Sequence, residues 1–218
     1  MSDTSTGRRR GLRKGDAREA DILRTFETLI AERTLASISI DELAHGAGLS
    51  RPTFYFYFKS KDAVLAALLH EIETQVSAAQ ADWYRGSGIG DTEASLRQNM
   101  GYIVDLWKAR GPLLRLIHFA TDVPAEVLEY RKRYQERLTR LNTERIERER
   151  AAGLAPAGPP SSAALATAMI QLRTVLLCDA FASQDDTAPV ADPDQLIEDL
   201  VAAQLRLLYG QLPARLPA

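Results

Sequence analysis

Between Ser50 and Lys61 the chain reads SRPTFYFYFKSK, a run of aromatic residues bracketed by cations. An exposed arginine can donate two hydrogen bonds to a guanine edge, and a threonine methyl can meet the methyl of thymine. Arg51 and Thr53 are therefore candidate base readers. The hydroxyls of Tyr55 and Tyr57 can donate to phosphates, contacts that set register without reading sequence. Phe54 and Phe58 stand four apart, which places them on one helical face, and they are expected to pack inward on Phe26 and Leu43. The competing reading is that every ring in the run belongs to the core or to a partner patch.

The flanking residues decide how this run is presented. Ser39-Ile40-Asp41-Glu42 is a capping box, in which the serine hydroxyl takes a free backbone N–H and the glutamate reaches back. It opens a short helix carrying Ile40, Leu43 and Ala44. Ser50 can cap the next helix, with Pro52 in its first turn, where the missing N–H costs little. The small residues of Gly46-Ala47-Gly48-Leu49 let the two helices approach, so the pair reads as a helix-turn-helix. Such a unit enters the major groove by the N-terminal end of its second helix, here Ser50, Arg51, Pro52 and Thr53.

Other chemistry is poorly supplied. His45, His70 and His118 fall on three different predicted helices, and Glu42-Leu43-Ala44-His45 is half of a di-iron motif that needs a second copy; the sequence has none. No metal site is expected, and no cofactor. Cys178, the single cysteine, permits no intrachain disulfide and suits a reducing cytoplasm. Gly86-Ser87-Gly88-Ile89-Gly90 follows a helix instead of a strand and lacks the lysine of a phosphate loop. Nothing here makes an enzyme. The longest uncharged run, Ala151 to Leu172, is broken by Pro156, Gly158, Pro159 and Pro160, so no membrane span is read. A formal net charge of −2 announces no polyanion globally, but six cations between Arg8 and Arg18 face only Asp16. That arm is either a local polyanion contact or a disordered solubilising tail.

Apolar residues recur at helical spacing through the rest. Ile22, Leu23, Phe26, Leu29 and Ile30 predict a helix over 16–33. Val64, Leu65, Leu68, Leu69, Ile72, Val76 and Trp83 predict one long helix from Lys61, about 35 Å in length. Leu96, Met100, Ile103, Val104 and Trp107 mark a helix stopped at Gly111-Pro112, with a short one after it to Thr121. A long helix over 125–152 follows, whose charged end from Glu144 to Arg150 is expected to be a solvated face. The last two run over 162–182 and 193–209. The fold class is all-α: a three-helix DNA-binding domain with a helix-turn-helix, then a larger helical domain, about nine helices in total. The expected divisions are a basic flexible arm over 1–17, the DNA-binding domain over 18–60, and a ligand-binding and dimerisation domain over 61–212.

SISIDELAHGAGLSRPTFYFYFKSKDAVLAALL resembles the DNA-binding segment of the TetR family of transcriptional repressors, through Thr53, Phe54, Tyr55, Phe58, Ser60 and Lys61. The phrase SRPTFYFYF is more similar to the EthR-like branch of that family, and the likeness continues weakly through helix count and order. The resemblance implies a homodimeric, usually repressing regulator of double-stranded operator DNA, in which a small-molecule effector controls the spacing of two DNA heads. By motif position, family DNA contacts fall on Ser39, Arg51, Pro52, Thr53, Tyr55, Phe56, Tyr57 and Lys61. Asp41 and Glu42 depart from the basic or polar residues often found at that helix start, which leaves Ser39 as the phosphate contact there.

The same resemblance places an effector among Trp83, Leu96, Asn99, Ile103, Trp107, Leu138, Leu141, Asn142, Ile170, Arg173, Thr174 and Leu177. A charge or amide on an apolar face needs a partner, so Arg173 and Asn142 suggest an elongated apolar ligand with an anionic or carbonyl group near Arg173. Leu165, Met169, Leu172, Leu176 and Ala180, with Leu196, Leu200, Ala203, Leu207 and Leu208, give the last two helices more apolar surface than one side of packing needs. A homodimer through those helices is the expected outlet. The alternatives are a helix-turn-helix regulator controlled by a protein partner, and a helical enzyme or lipid carrier.

Overall fold

A computed structural model describes residues 5–85, 92–181 and 192–210, with residues 5–14 described by their backbone only. Among these there are nine α-helices, one 3₁₀ turn and no strand. Two compact units divide the chain, Met1–Thr74 and Gln75–Ala218. The division falls inside the fourth helix, C-terminal to the boundary expected at its start.

The first unit holds α1 (Ser5–Glu32), the 3₁₀ turn (Leu35–Ser37), α2 (Ile40–Gly46), α3 (Arg51–Tyr57) and the start of α4 (Lys61–Ala79). The backbone of α1 is already helical well before Asp16, so the basic residues Arg8 to Lys14 lie on it; their side chains are outside the described residues. Its apolar stripe buries Ile22, Phe26 and Ile30. The capping box of α2 is complete: Ser39 Oγ accepts from the Glu42 N–H at 3.3 Å, and the Ser39 N–H donates to Glu42 Oε2 at 2.9 Å. The Ser39 N–H, the Ser39 hydroxyl donating to Glu42 Oε2 at 2.8 Å, and Arg33 Nη1 donating to Glu42 Oε1 at 2.8 Å hold the Glu42 carboxyl down at about 2. Gly48 then takes φ 66°, a left-handed conformation that costs a glycine little. The N–H groups of Gly48 and Leu49 close the end of α2 on the carbonyls of His45 and Ala44.

The second unit holds the end of α4, then α5 (Ala81–Arg85), α6 (Thr92–Phe119), α7 (Ala125–Ala151), α8 (Ser162–Phe181) and α9 (Pro193–Tyr209). α4 ends at Ala79 and a separate short helix carries Trp83, so the long helix spans about 28 Å at about 1.5 Å per residue, less than the spacing of its apolar residues predicted. The break expected at Gly111-Pro112 is present: α6 is two helical stretches joined at a kink, where Arg110 leaves helical geometry at φ −132° and ψ 25° and Pro112 lacks the N–H for one turn of the ladder. α8 is long and apolar enough by length and composition to cross a membrane. It instead packs on α6, α7 and α9, and Leu165, Ala166 and Met169 join Ile146 and Leu208 in one core cluster.

The charged end of α7 is a solvated face only in part: Glu144, Glu147 and Arg148 are exposed. Arg145 and Glu149 are buried and paired at 2.9 Å. The Arg145 guanidinium lies 3.6 Å from the centre of the Trp83 ring and its Nη1 donates to the Trp83 carbonyl. Tyr209 of α9 donates its hydroxyl to Glu149 Oε2 at 2.9 Å. Three helices, α5, α7 and α9, meet on one ion pair.

A Cβ at Gly46 would overlap the Thr25 Cγ2 methyl of α1, and Thr25 cannot rotate away without giving up the bond from its hydroxyl to the Asp21 carbonyl. Gly46→Ala is therefore expected to destabilise the first unit by about 1–3 kcal/mol, read from its denaturant midpoint. Adding Thr25→Ser, which removes the methyl and keeps the hydroxyl, should recover most of that loss.

Candidate functional site

α3 is only seven residues long, too short to be stable without tertiary contacts. Phe54 and Phe58 are buried in the core that also holds Phe26 and Leu43, their rings 6.2 Å apart. With those two turned inward, the others must turn out: Tyr55 is 44% exposed and Phe56 84%. Phe56 leans edge-on against the half-buried Tyr57, ring centres 5.4 Å apart. At the N-terminal end, Ser50 Oγ accepts from the Thr53 N–H at 3.3 Å and lies 2.8 Å from Thr53 Oγ1. Ser39, Arg51, Pro52 and Thr53 are all exposed. Six of the eight sequence-derived contacts thus lie on one short helix, while Ser39 caps the start of α2 and Lys61 opens α4.

Arg51 is not idle on that surface. Its Nη1 donates to Asp41 Oδ2 at 2.7 Å and its Nη2 to the Tyr55 hydroxyl at 3.5 Å, with the guanidinium 5.9 Å from the Tyr55 ring centre. Both partners of the ion pair stand more than half exposed, so water screens the attraction and it serves to orient more than to stabilise. An acid at Asp41 therefore sets where the candidate base reader waits.

Lys61 is placed otherwise than its motif position suggested. Its ammonium donates to three carbonyls, Leu35 at 2.9 Å, Ile38 at 3.2 Å and Ala36 at 3.3 Å. An ammonium has three donors, and all three are used in pinning the 3₁₀ turn to the start of α4. In this arrangement none remains for a phosphate.

In the second unit the candidate effector residues are mostly packed shut. Trp83, Leu96, Asn99, Ile103, Trp107, Leu138, Asn142, Ile170, Arg173 and Leu177 are buried, and Leu141 and Thr174 half-buried. Asn142 joins several of them: its Nδ2 donates to the Leu138 carbonyl at 2.9 Å and to the Tyr84 hydroxyl at 3.5 Å, while its Oδ1 accepts from Trp83 Nε1 at 3.5 Å. Tyr84 donates onward to Gln80 at 3.2 Å. Asn99 Oδ1 is buried without a hydrogen-bond partner. Ile170 and Thr174 reach a cavity of about 320 Å³ that sequence reasoning did not anticipate. At its edge His118 stacks on Trp107, ring centres 5.8 Å apart. Burial, then the charges of Arg131 and Arg173, lower the His118 pKa to about 4, so the ring is neutral near pH 7. No local spacing in the sequence pairs the Trp107 and His118 rings, because they stand on opposite sides of the kink at Arg110.

The tetR family model of bacterial regulatory proteins matches residues 22–68, and the model of the C-terminal domain of the transcriptional regulator EthR matches residues 96–210. The chain is 34% identical over 205 residues to the HTH-type transcriptional regulator EthR of Mycobacterium tuberculosis, covering 94% of this chain and 93% of that one. It is 31% identical over 211 residues to EthR of Mycolicibacterium smegmatis, covering 96% and 94%. Among solved structures, NalD, the secondary repressor of the MexAB-OprM multidrug efflux pump of Pseudomonas aeruginosa, superposes with a TM-score of 0.69 at 18% identity over 89% of this chain and 97% of its own. AibR in complex with isovaleryl coenzyme A and operator DNA gives 0.64 at 14% identity, over 85% and 97%. At such identities the structural likeness shows the fold.

Two substitutions test the geometry of the first unit. Lys61→Met should destabilise it by about 1–3 kcal/mol by leaving three carbonyls without their donor, seen as a lower melting temperature with unchanged helix content at 20 °C. Asp41→Asn should raise affinity for operator and scrambled DNA alike, and steepen the salt dependence by about one counterion, because it removes an anion from the surface and releases Arg51. Loss of affinity for both DNAs would show instead that Arg51 needs Asp41 to be held in place.

Proposed function

The chain belongs to the TetR family of bacterial transcriptional regulators, with a C-terminal domain of the EthR type, and we propose that it reads its operator through the exposed end of α3. Arg51 donates to a guanine edge, Thr53 and Pro52 contact neighbouring bases, and Ser39, Tyr55 and Tyr57 hold phosphates. The observation that carries this reading is the inward burial of Phe54 and Phe58, which leaves Arg51, Pro52, Thr53, Tyr55 and Phe56 outward together. Phe56, with nearly its whole ring in water, is matched to the thymine methyls and sugars of a groove wall.

One helix-turn-helix makes few base contacts, so recognition requires a pair of heads on half-sites about 34–36 Å apart. α8 and α9 are the proposed dimer surface: Leu176 and Leu207 remain exposed on them although each helix also packs on its own unit. A small, largely apolar effector held in the second unit then favours a head spacing that no longer fits the DNA. α4 is the single helix that leaves one unit and enters the other, and it is the proposed carrier of that change. The effector acts only as far as its affinity differs between the two states. The protein works where its DNA is, in the cytoplasm.

The test is fluorescence anisotropy on DNA from the chain's own promoter. Arg51→Ala is expected to weaken operator binding by about 1–3 kcal/mol and to relax preference at one base pair per half-site, with binding to scrambled DNA little changed. An Arg51→Ala protein that binds the operator as tightly and as selectively as the parent would overturn the assignment.

A further inference from the structure

The cavity of about 320 Å³ lies between the end of α6, the first turns of α7 and the middle of α8. Its size equals roughly ten to eleven waters at about 30 Å³ each, the low end of ligand pockets. Its chemistry is one-sided. Arg131 and Lys132 line it with the neutral polar groups of His118, Gln135, Gln171 and Thr174, and no carboxylate does.

The surroundings keep the same sign. Arg173, beside Thr174 on α8, is only 8% exposed, and among the described residues no acid pairs with it; its charge acts on His118 and Tyr84. Arg131 donates to the carbonyls of Ile117 and Ala120, each at 2.7 Å, so it closes the end of α6 and keeps its positive charge. Lys132 has no carboxylate partner among the described residues and its ammonium is exposed. A buried cation without a counterion is costly, and an anion supplied from outside removes that cost. Around the same cavity stand three apolar side chains exposed by 42–44%: Phe119, Leu128 and Val175.

We propose that this cavity is a binding site for an amphipathic monocarboxylate of about nine carbons, its head group on Lys132 in the field of Arg131 and Arg173 and its chain on Phe119, Leu128 and Val175. The proposal rests on the reading of the second unit as the effector-binding half and names the ligand class that the unit takes. A carboxylate fits better than a neutral ligand because the hydrogen bond to an ammonium is charge-assisted. It fits better than an amine because the charged side chains that line the cavity, Arg131 and Lys132, are both positive.

The experiment uses the full chain and three probes of equal length, nonanoate, 1-nonanol and nonylamine, in calorimetric titrations at pH 7. Nonanoate should bind saturably, about tenfold or more tightly than the alcohol, with no saturable binding of the amine. Lys132→Glu, an exposed change that leaves the core untouched, should abolish nonanoate binding, and the His118 ring resonances should shift on adding nonanoate to the parent. Failure of nonanoate to bind, equal binding of acid and alcohol, or binding unaffected by Lys132→Glu would each overturn the site. A second copy of the chain seated on the rim would give the first of these results. Anisotropy on promoter DNA separates the two readings: Lys132-dependent binding that leaves the DNA complex intact would uphold the carboxylate site and overturn its part in operator release.

Discussion

Phe54 is fully buried on a helix of seven residues, and the proposed reading surface depends on that burial. A helix so short has little stability of its own, and its orientation is set by which side chain it plants in the core. With Phe54 inward beside Phe58 and the caps of Ser39 and Ser50 in place, a period of 3.6 residues leaves no choice for Tyr55 and Phe56. Burying one large aromatic contributes on the order of 2–3 kcal/mol, enough to decide which face of the helix turns inward. The exposed rings are thus a consequence of the buried ones.

The polar ties of the first unit do a different job. Arg33–Glu42, the Ser39–Glu42 box and Lys61 with its three carbonyls all act on the approach to α2 and the start of α4, and hold the frame in which α3 sits. Asp41–Arg51 lies on the proposed reading surface itself. A DNA-facing anion lowers affinity for any polyanion, so its presence beside the candidate guanine reader favours discrimination over tightness. The family's usual basic or polar residue at that helix start would favour the reverse.

The second unit balances its buried charges unevenly. Arg145 has a carboxylate, a carbonyl and an aromatic face around it, and Glu149 has in addition a tyrosine hydroxyl. That network is satisfied on most sides, as a buried ion pair must be to repay its desolvation. Arg173 has no such shell among the described residues; burial holds His118 neutral, and the charges of Arg131 and Arg173 act in the same direction. One arginine closes a joint between helices, and the other leaves a place for an anion.

Much was legible in the sequence because it depends on residues three or four apart. The Ser39–Glu42 box, the Ser50–Pro52 start, the inward pair Phe54 and Phe58, the turn at Gly48 and the order of helices all follow from local hydrogen bonding and helical period. The charges at the end of α7 could not be read that way, since alternation on a helix says nothing of what lies opposite. Arg145 is buried because Trp83, sixty-two residues earlier, presents its ring and carbonyl there. Lys61 matched a DNA-contact motif, yet its donors are taken by carbonyls more than twenty residues away. The end of α4 at Ala79 and the cavity among α6, α7 and α8 belong to the same class. Local rules assign elements and caps, because their energies are local. Whether a charge is solvated, paired or left waiting is decided by groups that only the folded chain brings within a few ångströms, where desolvation and Coulomb energy outweigh any propensity.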